Sequence, residues 1–194
     1  MTHHGGSPDD ATANVAANRL DDPARYRYLS AEEVYALFDP DPNWTVADLG
    51  SGSGFYTDDV ARSVDRLYAV DRDRDVQRFH RTTDPPDNVT IVTADVGALP
   101  FETGTIDAAL SIRTFHHGVD VALDEVRRVL RPGGRFAVAD WSATGAGERE
   151  RGPSPDHCYD IATAQSLLLD AGFEIRSARE RRETFTITAR VREW

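Results

Sequence analysis

The chain has 194 residues, a net charge of −11, 40% hydrophobic residues and a single cysteine, Cys158. This length suits one domain with a core of ordinary size, and no apolar run reaches the roughly 18 residues that a membrane span needs. One sulfur excludes an internal disulfide and a thiolate metal cage, and the negative charge disfavours general nucleic-acid binding. Because residues 1–10 also lack the apolar stretch of a signal peptide, we expect a cytoplasmic protein with no membrane partner and no metal.

The charged residues are unusual in type. All 22 lysine-or-arginine residues are arginine, and the chain has 33 aspartate and glutamate residues. A dense carboxylate surface repels itself at low ionic strength and is screened in concentrated salt. We interpret this composition as halophilic, the mark of a high-salt cytoplasm. A GC-rich genome that encodes arginine in place of lysine is the alternative interpretation.

The first thirty residues carry no sustained hydrophobic period. We predict a loose tail over residues 1–29, followed by one domain over residues 30–194. Ser30 and Glu33 have the spacing of a capping box, which predicts a short helix that ends near Phe38.

From Trp44 onward, short apolar runs alternate with segments of helical period. This alternation predicts parallel strands joined by helices that cover both faces of a doubly wound sheet. The predicted strands are Trp44–Leu49, Arg66–Val70, Val89–Thr93, Ile106–Ile112 and Arg135–Ala139, and the predicted helices between them are Thr57–Val64, Asp73–Thr82 and Val119–Leu130. A helix at Ile161–Ala171 and a hairpin of Phe173–Arg179 with Thr184–Val191 are predicted to complete the domain.

The first predicted strand runs into a glycine-rich loop with Gly50, Gly52 and Gly54 at alternate positions. Such glycines let the backbone turn tightly and let a ligand approach the main chain and its N–H groups. In an open α/β sheet this loop lies at the carboxyl ends of the strands, where cofactors bind. Taken alone, the loop is equally consistent with a purely structural turn.

Two acids end the next two predicted strands. Asp71 follows the second strand, where a carboxylate can accept hydrogen bonds from ribose hydroxyls, and Asp95 follows the third, where it can accept from an adenine amino group. Together they predict a nucleoside ligand, with a helix cap and a solvated turn as the respective alternatives. A dinucleotide fingerprint is disfavoured because Phe55 replaces its third glycine, and a lysine-free chain lacks the phosphate-binding lysine of a P-loop.

Together these motifs resemble the class I S-adenosylmethionine-dependent methyltransferases. Val46–Gly54 resembles the first motif of that family, Asp71 its ribose-binding acid and Thr93–Pro100 its adenine-side motif. Ile106–His117 resembles its fourth-strand motif, and Leu130–Phe136 resembles the turn before its fifth strand. Within the family, the chain is most similar to small stand-alone enzymes like the ubiquinone/menaquinone C-methyltransferases.

The resemblance implies an α/β fold, a three-layer Rossmann-like sandwich around a seven-stranded, mostly parallel sheet of order 3-2-1-4-5-7-6 with strand 7 antiparallel. It implies S-adenosylmethionine as the cofactor, in-line methyl transfer to a small or medium-sized acceptor, and Tyr28 as a cover of the site. The residues implied to bind the cofactor are Asp48, Gly50, Ser51, Gly52, Gly54, Asp71, Arg72, Asp95, Val96 and Ser111.

The catalytic group is not identified by the resemblance. His116, His117 and His157 are candidate bases because imidazole titrates near neutral pH, with a packed or hydrogen-bonded loop role as the alternative for each. The irregular segment Arg151–Tyr159 is predicted to face the acceptor. A non-catalytic accessory protein that binds a nucleoside or S-adenosylmethionine is the second functional hypothesis, and both a monomer and a homodimer are compatible with the sequence.

Overall fold

The computed structural model describes residues 22–145 and 152–193. Seven strands form one sheet of order β3-β2-β1-β4-β5-β7-β6. The strands are β1 (Thr45–Leu49), β2 (Arg66–Asp71), β3 (Val89–Thr93), β4 (Ile106–Ile112), β5 (Leu130–Trp141), β6 (Phe173–Glu180) and β7 (Thr184–Val191). All neighbours pair in parallel except that β7 is antiparallel to both β5 and β6. The predicted fold class and strand order are confirmed.

Helices cover both faces of this sheet. Within the described residues they are α1 (Ala31–Phe38), α2 (Thr57–Ala61), α3 (Arg74–Thr82), α4 (Leu123–Val129) and α5 (Ile161–Asp170). Two hydrophobic clusters fill the layers, and the successive β1 residues Val46 and Ala47 belong to different clusters. Because successive strand residues point to opposite faces, each cluster lies between the sheet and one helical layer. None of these helices is both long and apolar enough to cross a lipid bilayer.

The start of α1 is fixed by the predicted capping box. The Ser30 Oγ accepts from the backbone N–H of Glu33 at 3.3 Å, and the Glu33 carboxylate accepts from the backbone N–H of Ser30 at 2.8 Å. The helix buries Val34 and Phe38 and ends at Phe38, as predicted. This pair of bonds satisfies two backbone donors that the first helical turn leaves without partners.

Three predicted elements differ from the structure by several residues, and the first is α2, which ends at Ala61 rather than at Val64. Helix α4 begins at Leu123, because Phe115–His117 forms a separate 3₁₀ turn and Val119 packs into the core before the helix starts. Strand β5 starts at Leu130 and continues to Trp141, since its second half pairs with β7 over seven consecutive positions. The Pro-Gly-Gly sequence within β5 is accommodated by a register shift against β4.

Residues 22–29, which the sequence analysis assigned to the loose tail, pack against the domain. Pro23–Arg27 forms a 3₁₀ turn capped by the Asp22 side chain. The Arg113 guanidinium donates to the Arg25 carbonyl at 3.0 Å and so ties this turn to the end of β4. The anchor uses a backbone carbonyl, which hydrophobic periodicity does not reveal. The prediction of a tail otherwise concerns residues 1–21, which lie outside the described residues.

Candidate active site

A cavity of about 730 Å³ opens at the carboxyl ends of the parallel strands. This volume is within the range of about 300 to 1,000 Å³ that is typical of small-molecule and cofactor sites. The glycine-rich loop after β1 and Asp71 at the end of β2 line one side. Because the order across the sheet is β2-β1-β4-β5, His116 after β4 and Trp141 at the end of β5 line the other side.

The backbone donors of the glycine-rich loop are already used within the protein. The N–H groups of Gly50 and Ser51 both donate to the Val70 carbonyl, at 2.8 and 3.0 Å. The N–H of Gly52 donates to the Asp71 carboxylate at 2.9 Å. The sequence analysis expected the N–H groups of this loop to face a ligand. These three amides instead donate to the protein itself. The loop instead offers bare main chain whose further hydrogen-bonding capacity is that of acceptors.

The ends of β1 and β4 approach each other closely beneath the cavity. The Thr114 hydroxyl donates to the Leu49 carbonyl at 2.7 Å and lies 3.0 Å from the Ser111 hydroxyl. A Cβ at position 50 would overlap the Thr114 side chain, and the backbone φ of +75° there also favours glycine. Ser111, implied to bind the cofactor, is fully buried behind Thr114, and Thr114 lines the cavity in its place.

Asp48 is a buried acid at the base of the glycine-rich loop. Its side chain is 3% exposed, it accepts a hydrogen bond from the Thr57 hydroxyl at 2.6 Å, and it lines the cavity. Burial raises the pKa of Asp48 to about 6. A carboxylate that is costly to ionise in the empty protein gains most from a cationic ligand, so this position favours an ammonium group.

Asp71 holds the loop and also faces the cavity. One carboxylate oxygen accepts from the N–H of Gly52 and the other from the N–H of Asp73, both at 2.9 Å. A carboxylate has about four acceptor positions, so hydroxyl groups of a ligand can still bind. Asp73, not Asp71, caps α3, which removes the helix-cap alternative for Asp71.

Besides Ser111, four of the implied cofactor residues do not line the cavity. Arg72 and Asp95 form an exposed ion pair at 4.0 Å, and Val96 packs against the core cluster. Gly54 lies against the ring of the buried His80, which a Cβ at position 54 would overlap. The structure thus brings together Asp48, Gly50, Ser51, Gly52 and Asp71, and it leaves the adenine-side residues at the surface beside β2 and β3.

His116 is paired with a buried carboxylate. Nδ1 of His116 lies 2.8 Å from one oxygen of Asp140 and 2.9 Å from the other, and Asp140 is 1% exposed. An ionised carboxylate only accepts, so this contact selects the tautomer of a neutral imidazole that carries its proton on Nδ1 and its lone pair on Nε2. Nε2 is buried and has no hydrogen-bond partner among the described residues, and the side chain lines the cavity. Nε2 is thus the ring nitrogen that the described residues leave without a partner.

The other two candidate histidines differ from His116. The ring of His117 stacks beside that of His116 with 3.9 Å between centroids, and burial together with the neighbouring His116 lowers its pKa. His157 is exposed in a 3₁₀ turn and does not line the cavity. Gly152 and Pro153 of the predicted acceptor-facing segment do line it. Across residues 22–145 and 152–193 no three potential metal ligands converge.

Aromatic side chains and an arginine form the wall beside His116. The Arg113 guanidinium lies 5.2 Å from the ring centroid of Tyr28 and 5.0 Å from that of Trp141. Arg113 has a backbone φ of +62°, an uncommon conformation for a residue with a side chain, and such residues concentrate at functional sites. Tyr28 is buried and lines the cavity. The sequence analysis did not select Arg113 or Trp141.

Sequence comparison finds methyltransferases. A family model described as a methyltransferase domain matches residues 47–138. A ubiquinone/menaquinone biosynthesis C-methyltransferase of Brucella abortus is 32% identical over 116 residues, which cover 52% of this chain and 41% of that protein. An uncharacterized 37.1 kDa protein in a transposon of Streptomyces fradiae is 35% identical over 113 residues, covering 54% of this chain and 33% of that protein. This chain thus spans less than half the length of these curated relatives.

Structure comparison agrees over nearly the whole chain. The crystal structure of a SAM-dependent methyltransferase from Aquifex aeolicus superposes with a TM-score of 0.81 at 26% identity, over 91% of this chain and 97% of that one. The family model, the strand order and the placement of the glycine-rich loop and Asp71 all point to one family. Residues 47–138 thus match a methyltransferase-domain family, and the fold is that of the S-adenosylmethionine-dependent methyltransferases.

Proposed function

We propose that the protein transfers a methyl group from S-adenosylmethionine to a small or medium-sized organic acceptor whose reacting hydroxyl or acidic carbon must lose a proton. The observation that carries this proposal is the His116–Asp140 pair in the same cavity as the glycine-rich loop and Asp71. A base beside a cofactor cleft is needed when the acceptor is a weak nucleophile until it is deprotonated. The C-methyltransferase similarity supports an organic acceptor of this kind.

The residues present fit the cofactor. Asp71 would hold the ribose hydroxyls, and the acceptors of the glycine-rich loop with the Asp48 carboxylate would receive the ammonium group. The adenine would extend toward Asp95 and Val96, which lie outside the cavity lining beside β2 and β3. When bound, S-adenosylmethionine supplies a methyl group made electrophilic by a sulfonium, which departs as a neutral thioether. An acidic wall favours that cation over its neutral product, so the Asp48 charge would favour binding of the cofactor over binding of the spent product.

His116 acts on the acceptor. Its Nε2 takes the proton of the acceptor hydroxyl or carbon, and Asp140 keeps Nδ1 protonated and stabilises the imidazolium that results. The backbone N–H of His116 also donates to the Asp140 carboxylate at 3.0 Å and fixes its position, and the carboxylate in turn holds the ring through Nδ1. The base is therefore held in one orientation before the acceptor arrives.

The remaining walls orient the acceptor and limit water. Tyr28 and Trp141 meet edge to face with 4.8 Å between ring centroids, and they offer flat apolar surface on the His116 side of the cavity. Holding an acceptor in line with a methyl group converts an intermolecular displacement into an intramolecular one, which is worth up to about 7 to 11 kcal/mol in favourable systems. An aromatic or unsaturated acceptor suits these walls best.

A transfer assay tests the proposal. The protein is incubated with methyl-labelled S-adenosylmethionine and a panel of phenols and acidic carbon compounds together with a metabolite extract, and labelled products are identified by mass spectrometry. A labelled small molecule that disappears with His116→Gln supports the proposal. Cofactor binding with no label transferred to any compound would instead favour the non-catalytic accessory protein.

The setting in which we propose that this enzyme works is a cytoplasm of high ionic strength. The argument is the composition, with 33 acidic residues against 22 cationic ones that are all arginine. Charge repulsion within such a surface weakens as salt screens it. The dependence of stability on salt is therefore the property to measure.

A further inference from the structure

The amino-acid end of S-adenosylmethionine carries an ammonium and a carboxylate, and the two need different partners. The acceptors of the glycine-rich loop and Asp48 suit the ammonium. The carboxylate needs N–H donors, but the amides of Gly50, Ser51 and Gly52 already donate to Val70 and Asp71. A side-chain cation on the same side of the cavity can provide them, if the proposed function is right.

Arg25 is placed for this task. It belongs to the 3₁₀ turn at Pro23–Arg27, and its side chain lines the cavity. The guanidinium lies 5.2 Å from the ring centroid of Phe55 and 5.1 Å from that of Tyr56, the two residues that directly follow the glycine-rich loop. The stacked rings hold the cation beside the loop, because the face of an aromatic ring attracts a positive charge.

Two further bonds fix the turn that carries this side chain. The Arg25 carbonyl accepts from the Arg113 guanidinium at 3.0 Å and from the Tyr56 hydroxyl at 3.2 Å. The backbone of Arg25 is thus joined both to the end of β4 and to the segment after β1. An arginine held this way loses little side-chain entropy when it binds a carboxylate, which raises the net gain from binding.

The charges around Arg25 complement a zwitterion. Arg25 and Asp48 lie near enough that each charge affects the pKa of the other, so a cation and an anion stand together on the loop side of the cavity. Burial, with a contribution from the charge of Arg113, lowers the pKa of Arg25 to about 10, so the group stays protonated at neutral pH and gains from an anion. Arg113 itself contacts the rings of Tyr28 and Trp141, on the side of His116.

We infer that the Arg25 guanidinium binds the carboxylate of the amino-acid end of the cofactor, opposite Asp48, and so closes the site from the N-terminal turn. This inference rests on the proposed function, and nothing in the sequence motifs points to it. It makes the N-terminal turn a part of the cofactor site.

Ligand truncation tests the inference without any activity measurement. S-adenosylhomocysteine and its decarboxylated analogue, which retains the amine, are titrated calorimetrically into the wild-type protein, Arg25→Met, Arg25→Lys and Arg62→Met. Arg62 is an exposed arginine at the end of α2 and controls for the loss of one positive charge. Thermal unfolding of each variant checks that it is folded.

We expect the wild type to bind S-adenosylhomocysteine at least about tenfold more tightly than the analogue, since each charge-assisted hydrogen bond contributes more than a neutral one. Arg25→Met should abolish this preference and leave the affinity for the analogue within about threefold. Arg25→Lys should keep part of the preference, because a lysine retains the charge without the paired donors. Arg62→Met should behave as the wild type.

A wild type that binds both ligands equally would overturn the inference alone, and this result does not depend on the folding of any variant. An Arg25→Met protein that keeps the preference, or that loses affinity for both ligands by the same factor, would also overturn it. A wild type that binds neither ligand, nor 5′-methylthioadenosine, would overturn the proposed function as well. The two failures are thus distinguishable in a single series of titrations.

Discussion

The Asp140 carboxylate accepts two hydrogen bonds from His116, one from the ring and one from the backbone N–H. The carboxylate lies 2.8 Å from the ring Nδ1 and 3.0 Å from the backbone N–H of His116, and it also accepts from the N–H of Trp141 at 2.7 Å. Three N–H donors thus hold one buried carboxylate in place. In a neutral imidazole, the bond at Nδ1 leaves the lone pair on Nε2.

Replacing His116 should slow catalysis without weakening cofactor binding. Once an acceptor is known, His116→Gln should lower kcat by about a hundredfold or more, the usual contribution of a general base. Asp140→Asn should lower kcat by at least about tenfold, because an amide no longer stabilises the imidazolium or fixes the ring tautomer. Steady-state kinetics measure both effects, with S-adenosylhomocysteine affinity as the second readout.

The control for this pair is His157→Gln, because His157 is exposed and outside the cavity. Its kcat should equal that of the wild type within about twofold. Equal losses in all three variants, or a fall in cofactor affinity that accounts for the whole loss at His116, would contradict the assignment of His116 as the base. A full kcat in His116→Gln would show that the acceptor needs no base.

Asp71 should determine cofactor affinity. Asp71→Ala removes charge-assisted hydrogen bonds to the ribose, each worth about 1.5 to 3 kcal/mol, so the affinity for S-adenosylhomocysteine should fall at least about tenfold. 5′-Methylthioadenosine carries the same ribose, so its binding should weaken by a similar factor. Calorimetry on a folded variant measures both, and Asp73→Asn, which keeps a capping side chain for α3, is the matched control. Unchanged binding by Asp71→Ala would refute the ribose assignment.

The fold was predictable because its signal is local and repeated. The ranges predicted for Val89–Thr93, Ile106–Ile112 and Thr184–Val191 agree with β3, β4 and β7, since a buried strand appears as an apolar run bounded by turn residues. The start of α4 was misplaced because Val119, apolar and in helical register, is buried in a turn. Burial sets the hydrophobic pattern, and an irregular segment that is buried produces the same pattern as a helix.

The site was predictable only where its residues follow motifs. Asp48 and Asp71 stand at fixed spacing around the glycine-rich loop, and the structure places both at the cavity. Asp140 lies one residue before the end of β5, close to the position that Asp71 takes in β2, so the same pattern would have indicated it. Arg25 has no such signal, because its position depends on carbonyl bonds to Arg113 and Tyr56, residues that are distant in sequence. Contacts of this kind are fixed by the tertiary fold.

Asp48 should reduce the stability of the empty protein at neutral pH. Burial raises its pKa from 3.8 to about 6, so between these values the folded state binds a proton that the unfolded state releases. The cost of ionising Asp48 is therefore fully present above about pH 6 and disappears as the pH falls toward 4. Each pKa unit corresponds to about 1.4 kcal/mol, so this cost is on the order of 2 to 3 kcal/mol at pH 7.

Asp48→Asn tests this linkage, because the amide oxygen still accepts from Thr57. The variant should be more stable than the wild type by about 1 to 3 kcal/mol near pH 7.5, and the difference should vanish near pH 4. Denaturant unfolding at several pH values measures it. S-adenosylhomocysteine should bind the variant at least about tenfold more weakly, since the ammonium loses its anion. A destabilised variant at pH 7.5 would contradict the proposed cost of the buried charge.

Salt should stabilise the protein if its surface is adapted to a high-salt cytoplasm. The Debye length falls from about 10 Å at 0.1 M to about 3 Å at 1 M, which removes most repulsion among exposed carboxylates. With a net charge of −11, we expect the unfolding temperature to rise steadily with KCl over this range. Thermal scans at increasing KCl measure this temperature. Scans with sucrose at the same molar concentrations are the control, because sucrose is excluded from the protein surface but does not screen charge. Equal unfolding temperatures in low and molar KCl would favour the GC-rich explanation.

Gly54 should be the least replaceable glycine of the loop, for a reason unrelated to the cofactor. A Cβ there would overlap the ring of the buried His80, whose Nε2 is 2.9 Å from the Asp58 carboxylate, and the φ of +86° disfavours a side chain. Gly54→Ala should lower the free energy of unfolding by about 2 to 5 kcal/mol, the sum of overpacking and left-handed strain. Gly118→Ala is the matched control, because its φ is +112° but a Cβ there meets nothing within 4 Å, so only the strain of about 1 to 2 kcal/mol applies. Denaturant unfolding compares them, and equal losses would mean that the backbone conformation, and not the contact with His80, requires the glycine.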